Sequence, residues 1–184
     1  MNDIYGIILA AGEGRRANGN KLSKAIGPMP MLEWVIRAAV QSDLKQVVVV
    51  TGQEKSFAED LAQKYGLLTV HNKDYRTGMT SSLQCGVRSL PDNIDGFAVL
   101  LGDMPFITSN TINTILRSFD PQGIVIPAYK GKKGHPPLYA IKFKQNILNI
   151  SGDIGAREVM IKNERHVSVV SIDDEGILKD IDYF

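Results

Sequence analysis

The residues best suited to chemistry lie in a glycine-rich, basic segment near the start of the chain. Gly12-Glu13-Gly14-Arg15-Arg16 is followed by Gly19, Lys21 and Lys24, directly after the apolar run Ile4–Leu9. Glycines let backbone N–H groups approach a polyphosphate closely. Arg16 and Lys21 can neutralise its charge, with Lys24 as a rival to Lys21. The alternative is a solvated basic surface loop. Gly12-Glu13-Gly14-Arg15-Arg16-Ala17 matches G-x-G-x-x-A, but a dinucleotide fold requires an acidic residue about 20 positions on, at the end of the second strand. That strand ends near Thr51, too late, and Glu33 falls in a predicted helix. A Walker loop fails as well, because no Gly-Lys-Ser/Thr follows Gly19. Asp103, in Leu101-Gly102-Asp103-Met104-Pro105, is the first choice of metal ligand, against a plain turn aspartate. His135 lies between Gly134 and Pro136. Asp153 and Arg157 are four apart, which places them on one face if both are helical.

Positioning these groups falls to short β-branched runs alternating with amphipathic stretches. Strands are expected at 4–9, 47–50, 67–70, 96–101, 124–127 and 167–172. Helices are expected at 31–40, 56–64, 81–90 and 108–119, the last capped by Thr108 or Ser109. Residues 131–139 are not expected to be helical, since glycines and paired prolines break a helix. Residues 151–157 read as a capped helix start. Continuous apolar strands separated by helices imply a mostly parallel sheet covered on both faces, a three-layer α/β/α, doubly wound, Rossmann-like fold. Ligands of such folds sit at the carboxyl ends of the strands. That rule points to Ala11-Gly12, Thr51-Gly52-Gln53, His71-Asn72 and Gly102-Asp103.

Of 184 residues, 43% are apolar and 22% charged, with a formal net charge of +1. The chain is expected to form one domain over residues 1–184. Near-neutral charge argues against a nucleic-acid binder that relies on a basic surface. No run approaches the ~18 apolar residues of a membrane span. The start is not basic and leads into charged residues, so no signal peptide is expected. The single cysteine, Cys85, excludes an intramolecular disulfide. A soluble, cytoplasmic protein is the expectation.

Read together, the motifs resemble a known family. Leu9-Ala10-Ala11-Gly12-Glu13-Gly14-Arg15-Arg16 with Lys21-Leu22, Gly78-Met79-Thr80-Ser81-Ser82-Leu83, Leu101-Gly102-Asp103-Met104-Pro105, Gly134-His135-Pro136 and Gly152-Asp153-Ile154-Gly155-Ala156-Arg157 resemble, in order, the motifs of the MobA-like nucleotidyltransferases. Within that family they are most similar to the molybdenum cofactor cytidylyltransferases, because Ala11 stands where guanylyltransferase relatives carry a glycine. Ala17-Asn18 replaces the family's Met-Gly, and the chain ends at Asp182-Tyr183-Phe184. The resemblance implies a fold of the nucleotide-diphospho-sugar transferase type. It implies transfer of CMP from CTP to the phosphate of molybdopterin, with or without bound molybdenum, and release of pyrophosphate, with no general base required because that phosphate is already anionic.

The same resemblance implies roles for particular residues. Arg16, Lys21 and Asp103 are the catalytic set. Leu9, Ala10, Ala11, Gly12, Gly14, Gly78 and Ser82 join them around the nucleotide. His135, Asp153 and Arg157 face the pterin substrate. Mg²⁺ is the implied cofactor, held by Asp103 and Asp182, with Asp180 competing for the second place. GTP, or a sugar or polyol phosphate, is the alternative substrate. A carrier that hands the cofactor to a molybdoenzyme is the alternative of another class, against which Arg16, Lys21 and Asp103 weigh. Neither nucleic acid nor membrane is an expected partner.

Overall fold

The computed structural model describes residues 2–12, 20–152 and 155–181. Along the chain run β1 (Ile4–Ala10), β2 (Ala25–Ile26), β3 (Met29–Pro30), α1 (Met31–Val40), β4 (Gln46–Thr51), α2 (Lys55–Lys64), β5 (Leu68–His71), α3 (Met79–Arg88), β6 (Gly96–Leu101) and α4 (Ser109–Arg117). There follow β7 (Ile124–Tyr129), β8 (Lys132–Lys133), β9 (Leu138–Ala140), α5 (Lys144–Leu148), α6 (Arg157–Lys162) and β10 (Val167–Ser171).

The main sheet has the order β10-β7-β9-β6-β1-β4-β5, with β8 hydrogen-bonded to β7. Pairings β1–β4, β1–β6, β4–β5 and β7–β10 are parallel. Strand β9 runs antiparallel to both β6 and β7, and the short β8 runs antiparallel to β7. Successive strand residues feed opposite faces, as the two-residue period of a strand requires. Ile8, Val49 and Leu100 pack with α1, α2 and α4. Ile7, Val48, Val50 and Phe97 pack with α3 and α5. The three-layer, mostly parallel doubly wound architecture expected from the sequence is therefore observed.

Helix α1 forms because Leu32, Val35, Ile36 and Ala39 return to one face at helical spacing, and all four are fully buried. Thr108 caps α4 by accepting a hydrogen bond from the Thr111 N–H at 3.1 Å. Buried Glu33 links α1 to the end of α2, accepting from Lys64 Nζ at 2.7 Å and from the Tyr65 hydroxyl at 2.6 Å. The Lys64 hydrogen bond, seconded by Tyr65, holds the Glu33 carboxyl below its ordinary 4.5. A carboxylate with a lowered folded value adds stability above its unfolded value and loses it as pH falls through the folded one. Glu33→Gln should therefore lose less urea resistance than the parent between about pH 5 and pH 3. Parallel slopes of the urea midpoint against pH would exclude Glu33 as a source of acid sensitivity.

One expected element moves. The helix read from residue 151 begins only at Arg157. Gly152 and Gly155 take φ of 81° and 63°, the left-handed region, which no α-helix passes through. Arg157 opens α6, whereas Asp153 lies outside the described residues. The two-residue strands β2 and β3 lie between Lys24, the last residue of the basic glycine-rich segment, and α1, and β9 begins at the end of the segment 131–139 that is not expected to be helical.

Candidate functional site

Strand order reverses at β1: the chain builds outward through β4 and β5, then returns to add β6 on the other side of β1. In doubly wound sheets the crevice at such a reversal, beyond the carboxyl ends of the strands, receives ligands. The three strands end level, with Leu9 opposite both Val50 and Leu101 and Ala10 opposite Thr51. Gly102 then donates its N–H to the Leu9 carbonyl at 3.0 Å, carrying the β1 edge one residue further.

The segments after β1 and β6 meet across this crevice. Lys21 Nζ lies 2.7 Å from Asp103 Oδ2, the two side chains 13% and 27% exposed. This partial burial raises the effective strength of the pair above that of a surface ion pair. Leu22, next to Lys21, is buried in the core. Its carbonyl accepts from Leu32 N at 3.2 Å, and that of Lys24 accepts from Met31 N at 2.9 Å, fixing the Lys21 turn to the start of α1.

Ala10 and Ala11 are buried, whereas Gly12 is exposed at the rim. Ala11 packs in the same apolar cluster as Leu83 of α3. Ser82 lies on α3, which Gly78 opens with φ 119°. Ser82 Oγ and Ser81 Oγ accept the two amide hydrogens of buried Asn72 at 3.0 and 2.8 Å. Gly52 faces Ala11 closely. A Cβ there would stand 2.4 Å from the Ala11 carbonyl oxygen and 2.8 Å from its Cβ. Gly52→Ala should displace the Ala11 segment and cost about 1–3 kcal/mol, read as a lowered urea midpoint. An unchanged midpoint would show that the loop after β4 yields freely.

His135 enters from the opposite side. Its N–H donates to the Ile177 carbonyl at 2.9 Å, and Gly134 N–H donates to the Pro127 carbonyl at 2.8 Å. A Cβ on Gly134 would meet the Ile177 oxygen at 2.3 Å, so only glycine fits this approach. Burial pushes the His135 imidazole below its ordinary value, opposed by the charge of Asp103, the Val99 carbonyl and the charge of Asp180. His135 Nδ1 is buried without a hydrogen-bond partner. Ile181 donates its N–H to the Asp103 carbonyl at 3.1 Å, so the segment carrying Asp180 crosses the same edge.

Lys21, Asp103, His135 and Asp180 are thus brought together at the edge that Leu9, Ala10, Ala11 and Gly12 also reach. Arg157 is exposed at the start of α6. Gly155 N donates to Thr80 Oγ1 at 3.0 Å and ties the preceding turn to α3. Gly14, Arg16, Asp153 and Asp182 lie outside the described residues. Among the described residues no group of three or more His, Cys, Asp or Glu side chains gathers as a ready-made metal cage. No helix among them is long and apolar enough to cross a membrane. The sequence singled out Thr51-Gly52-Gln53 but stopped one residue short of Glu54, whose carboxylate accepts from the backbone of Leu22 and Ser23. An apolar groove of about 390 Å³ between Trp34, Arg37, Phe106 and Ile107 holds none of the expected site residues.

A mostly parallel sheet whose carboxyl edge gathers Lys21 and Asp103 places the chain among the doubly wound α/β proteins. The profile of the MobA-like NTP transferase domain matches residues 6–167, and the chain belongs to that family. It is similar to the purine catabolism protein PucB of Bacillus subtilis, 25% identical, covering 97% of this chain and 91% of that protein. It is also similar to the bifunctional protein GlmU of Geotalea uraniireducens, 24% identical over 76% of this chain. The chain spans 31% of the length of that GlmU. Among solved structures, Rv0371c of Mycobacterium tuberculosis H37Rv superposes with a TM-score of 0.86 at 23% identity, covering 99% of this chain and 94% of that one. Its complex with manganese gives 0.78 at 20% identity, covering 92% and 88%. A cytidylyltransferase of Leptospira borgpetersenii gives 0.76 at 16% identity, covering 99% and 82%.

Proposed function

We propose that this protein, acting as a single domain over residues 1–184, transfers CMP from CTP to the phosphate of molybdopterin and releases pyrophosphate. The observation that carries this reading is the Lys21–Asp103 pair at the reversal of strand order, 2.7 Å apart and largely shielded from water. It is an arrangement for holding phosphate groups, and it contains no nucleophile–base couple. The reaction requires none. A phosphate-monoester oxygen of the acceptor attacks the α-phosphorus of CTP, forming a new P–O bond. The bond from that phosphorus to the bridging α–β oxygen breaks, and pyrophosphate leaves with its electrons. Catalysis is then positioning and charge neutralisation. Lys21 and Arg16 hold the triphosphate and meet the charge that builds on the leaving group. Backbone groups of Leu9–Gly12 and Gly14 line the phosphates and base, with Ser82 and Gly78 closing that side. His135, Asp153 and Arg157 face the acceptor.

A hard divalent cation such as Mg²⁺ fits the residues present. It takes one or two carboxylates together with water and phosphate oxygens, and so needs no all-protein cage. Asp103, with one oxygen on Lys21 and the other left for a cation, is the first ligand, and Asp182 the second, with Asp180 as competitor. Such a cation supplies further neutralisation of the phosphates. The choice of cytosine is supported by Ala11 and by the cytidylyltransferase of the same fold. The pterin acceptor is supported by Gly134-His135-Pro136 and Gly152–Arg157, and a molybdoenzyme is the expected recipient of the product. A cytoplasmic site of action accords with this substrate.

The test is Mg²⁺-dependent pyrophosphate release with molybdopterin as acceptor, run with CTP, GTP, ATP and UTP in parallel. Release with CTP alone supports the reading. Release with GTP alone keeps the chemistry and overturns the base. Silence with all four, with intact acceptor, overturns the acceptor assignment in favour of a sugar or polyol phosphate or of a cofactor carrier.

A further inference from the structure

The loop after β4 reaches three neighbours in three successive residues. Gly52 packs on Ala11. Gln53 Oε1 accepts from the Tyr75 hydroxyl at 2.7 Å. Glu54 turns its carboxylate to the Lys21 turn, where Oε1 accepts from Leu22 N at 2.8 Å and Oε2 from Ser23 N at 3.0 Å. We infer that Glu54 is a positioning residue for Lys21, and that its carboxylate sets the direction from which the Lys21 ammonium meets a bound triphosphate. This rests on the phosphate-binding role proposed above for Lys21.

The argument is geometric. Leu22 N–H belongs to the same peptide plane as the Lys21 carbonyl, so gripping that N–H fixes the torsion on the C-terminal side of Lys21 Cα. The direction of the Lys21 side chain follows from that torsion. The ammonium sits four methylenes away, so a small swing of the peptide becomes a displacement of ångströms at Nζ. Both carboxylate oxygens are acceptors only, and each meets a donor. Charge-assisted bonds of this kind are roughly twice as strong as neutral ones. Glu54 is itself held, since its carbonyl accepts from Ala58 N at 3.0 Å in the first turn of α2. The grip also fills two adjacent backbone donors that would otherwise offer an anion a place to bind. Phosphate is thereby directed to the side of the turn that carries Lys21.

A packing role and a positioning role differ at one substitution. Glu54→Gln keeps the shape but presents an NH₂ donor to one of the two N–H donors. It should behave like Glu54→Ala. Isothermal titration with Mg-CTP, in the absence of acceptor, should show both variants weakened about 10-fold, which is 1.4 kcal/mol. In a Lys21→Ala background, Glu54→Gln should weaken binding no further. Wild-type affinity in Glu54→Gln, or losses that multiply in the double variant, overturns the inference. A second readout does not depend on nucleotide at all. With lysines ¹³C-methylated, Glu54→Gln should shift the Lys21 resonance and leave that of Lys64 in place, and it should speed exchange of the Leu22 and Ser23 amides. If the parent binds no triphosphate but these signals move, the proposed function falls and the grip on Lys21 stands. If Lys21 and both amides are unmoved, the grip falls whatever the protein binds.

Discussion

Asp103→Asn should lower the proposed nucleotidyl transfer by on the order of 10²–10³-fold, while the urea midpoint stays near that of the parent. The substitution keeps shape and volume and removes one charge. Asp103 sits just past β6, where its carbonyl is held by Ile181 N at 3.1 Å and its neighbour Gly102 by Leu9 at 3.0 Å. The backbone is therefore fixed independently of the carboxylate, and the fold has no need of the charge. The Lys21 side chain is 13% exposed and its ammonium lies 2.7 Å from Asp103 Oδ2. Loss of that ion pair should cost alignment of Lys21 as well as charge at the phosphates. Steady-state pyrophosphate release beside a urea titration checks both halves. Turnover within a few-fold of the parent, in a folded variant, would remove Asp103 from the catalytic set.

The largest effect on stability is expected at Phe97. It is fully buried on β6, its ring stacked on that of Tyr139 with centroids 5.4 Å apart and an interplanar angle of 18°. Phe97→Ala deletes a ring from a site bounded by strands on either side, where the walls cannot close in. The expected loss is about 3–5 kcal/mol, against a total of about 5–15 kcal/mol for a domain. Urea unfolding followed by circular dichroism measures it. Phe97→Leu should recover more than half, because it refills most of the volume. A loss below about 1 kcal/mol for Phe97→Ala would mean that the sheet collapses around the gap. Tyr139 sharpens the expectation, because its hydroxyl is buried without a hydrogen-bond partner and burial pushes the phenol up. Its ring is held against Phe97 by apolar packing.

Much of this was legible in the residues themselves. The valine run of β4, the apolar run of β1 and the face of α1 announce their elements through composition and period, and together they define the three layers. Strand β9 did not show. Its three residues, Leu138–Ala140, follow paired prolines and are too short to display a period. The delayed start of α6 did not show either, because glycine permits a helix as readily as the left-handed turns that Gly152 and Gly155 adopt. In the site, Lys21 and Asp103 stood out by charge and by place, one after each strand that borders the crevice. Glu54 left no trace of that kind. It acts on backbone N–H groups more than thirty residues away, and any residue except proline at positions 22 and 23 would offer the same donors.

The antiparallel strand carries a mechanical consequence. Strands β1 and β4, and β1 and β6, are each joined over six residue pairs. Strand β9 joins β6 over three pairs and β7 over two. The sheet is thus two stiff leaves sewn along a short seam. One leaf carries the edge with Lys21 and Asp103, and the other leads through β7 and β8 to His135. Shear along that seam would work against fewer residue pairs than shear between β1 and its neighbours, and it would alter the spacing between the leaf that would grip the nucleotide and the leaf that would present its acceptor.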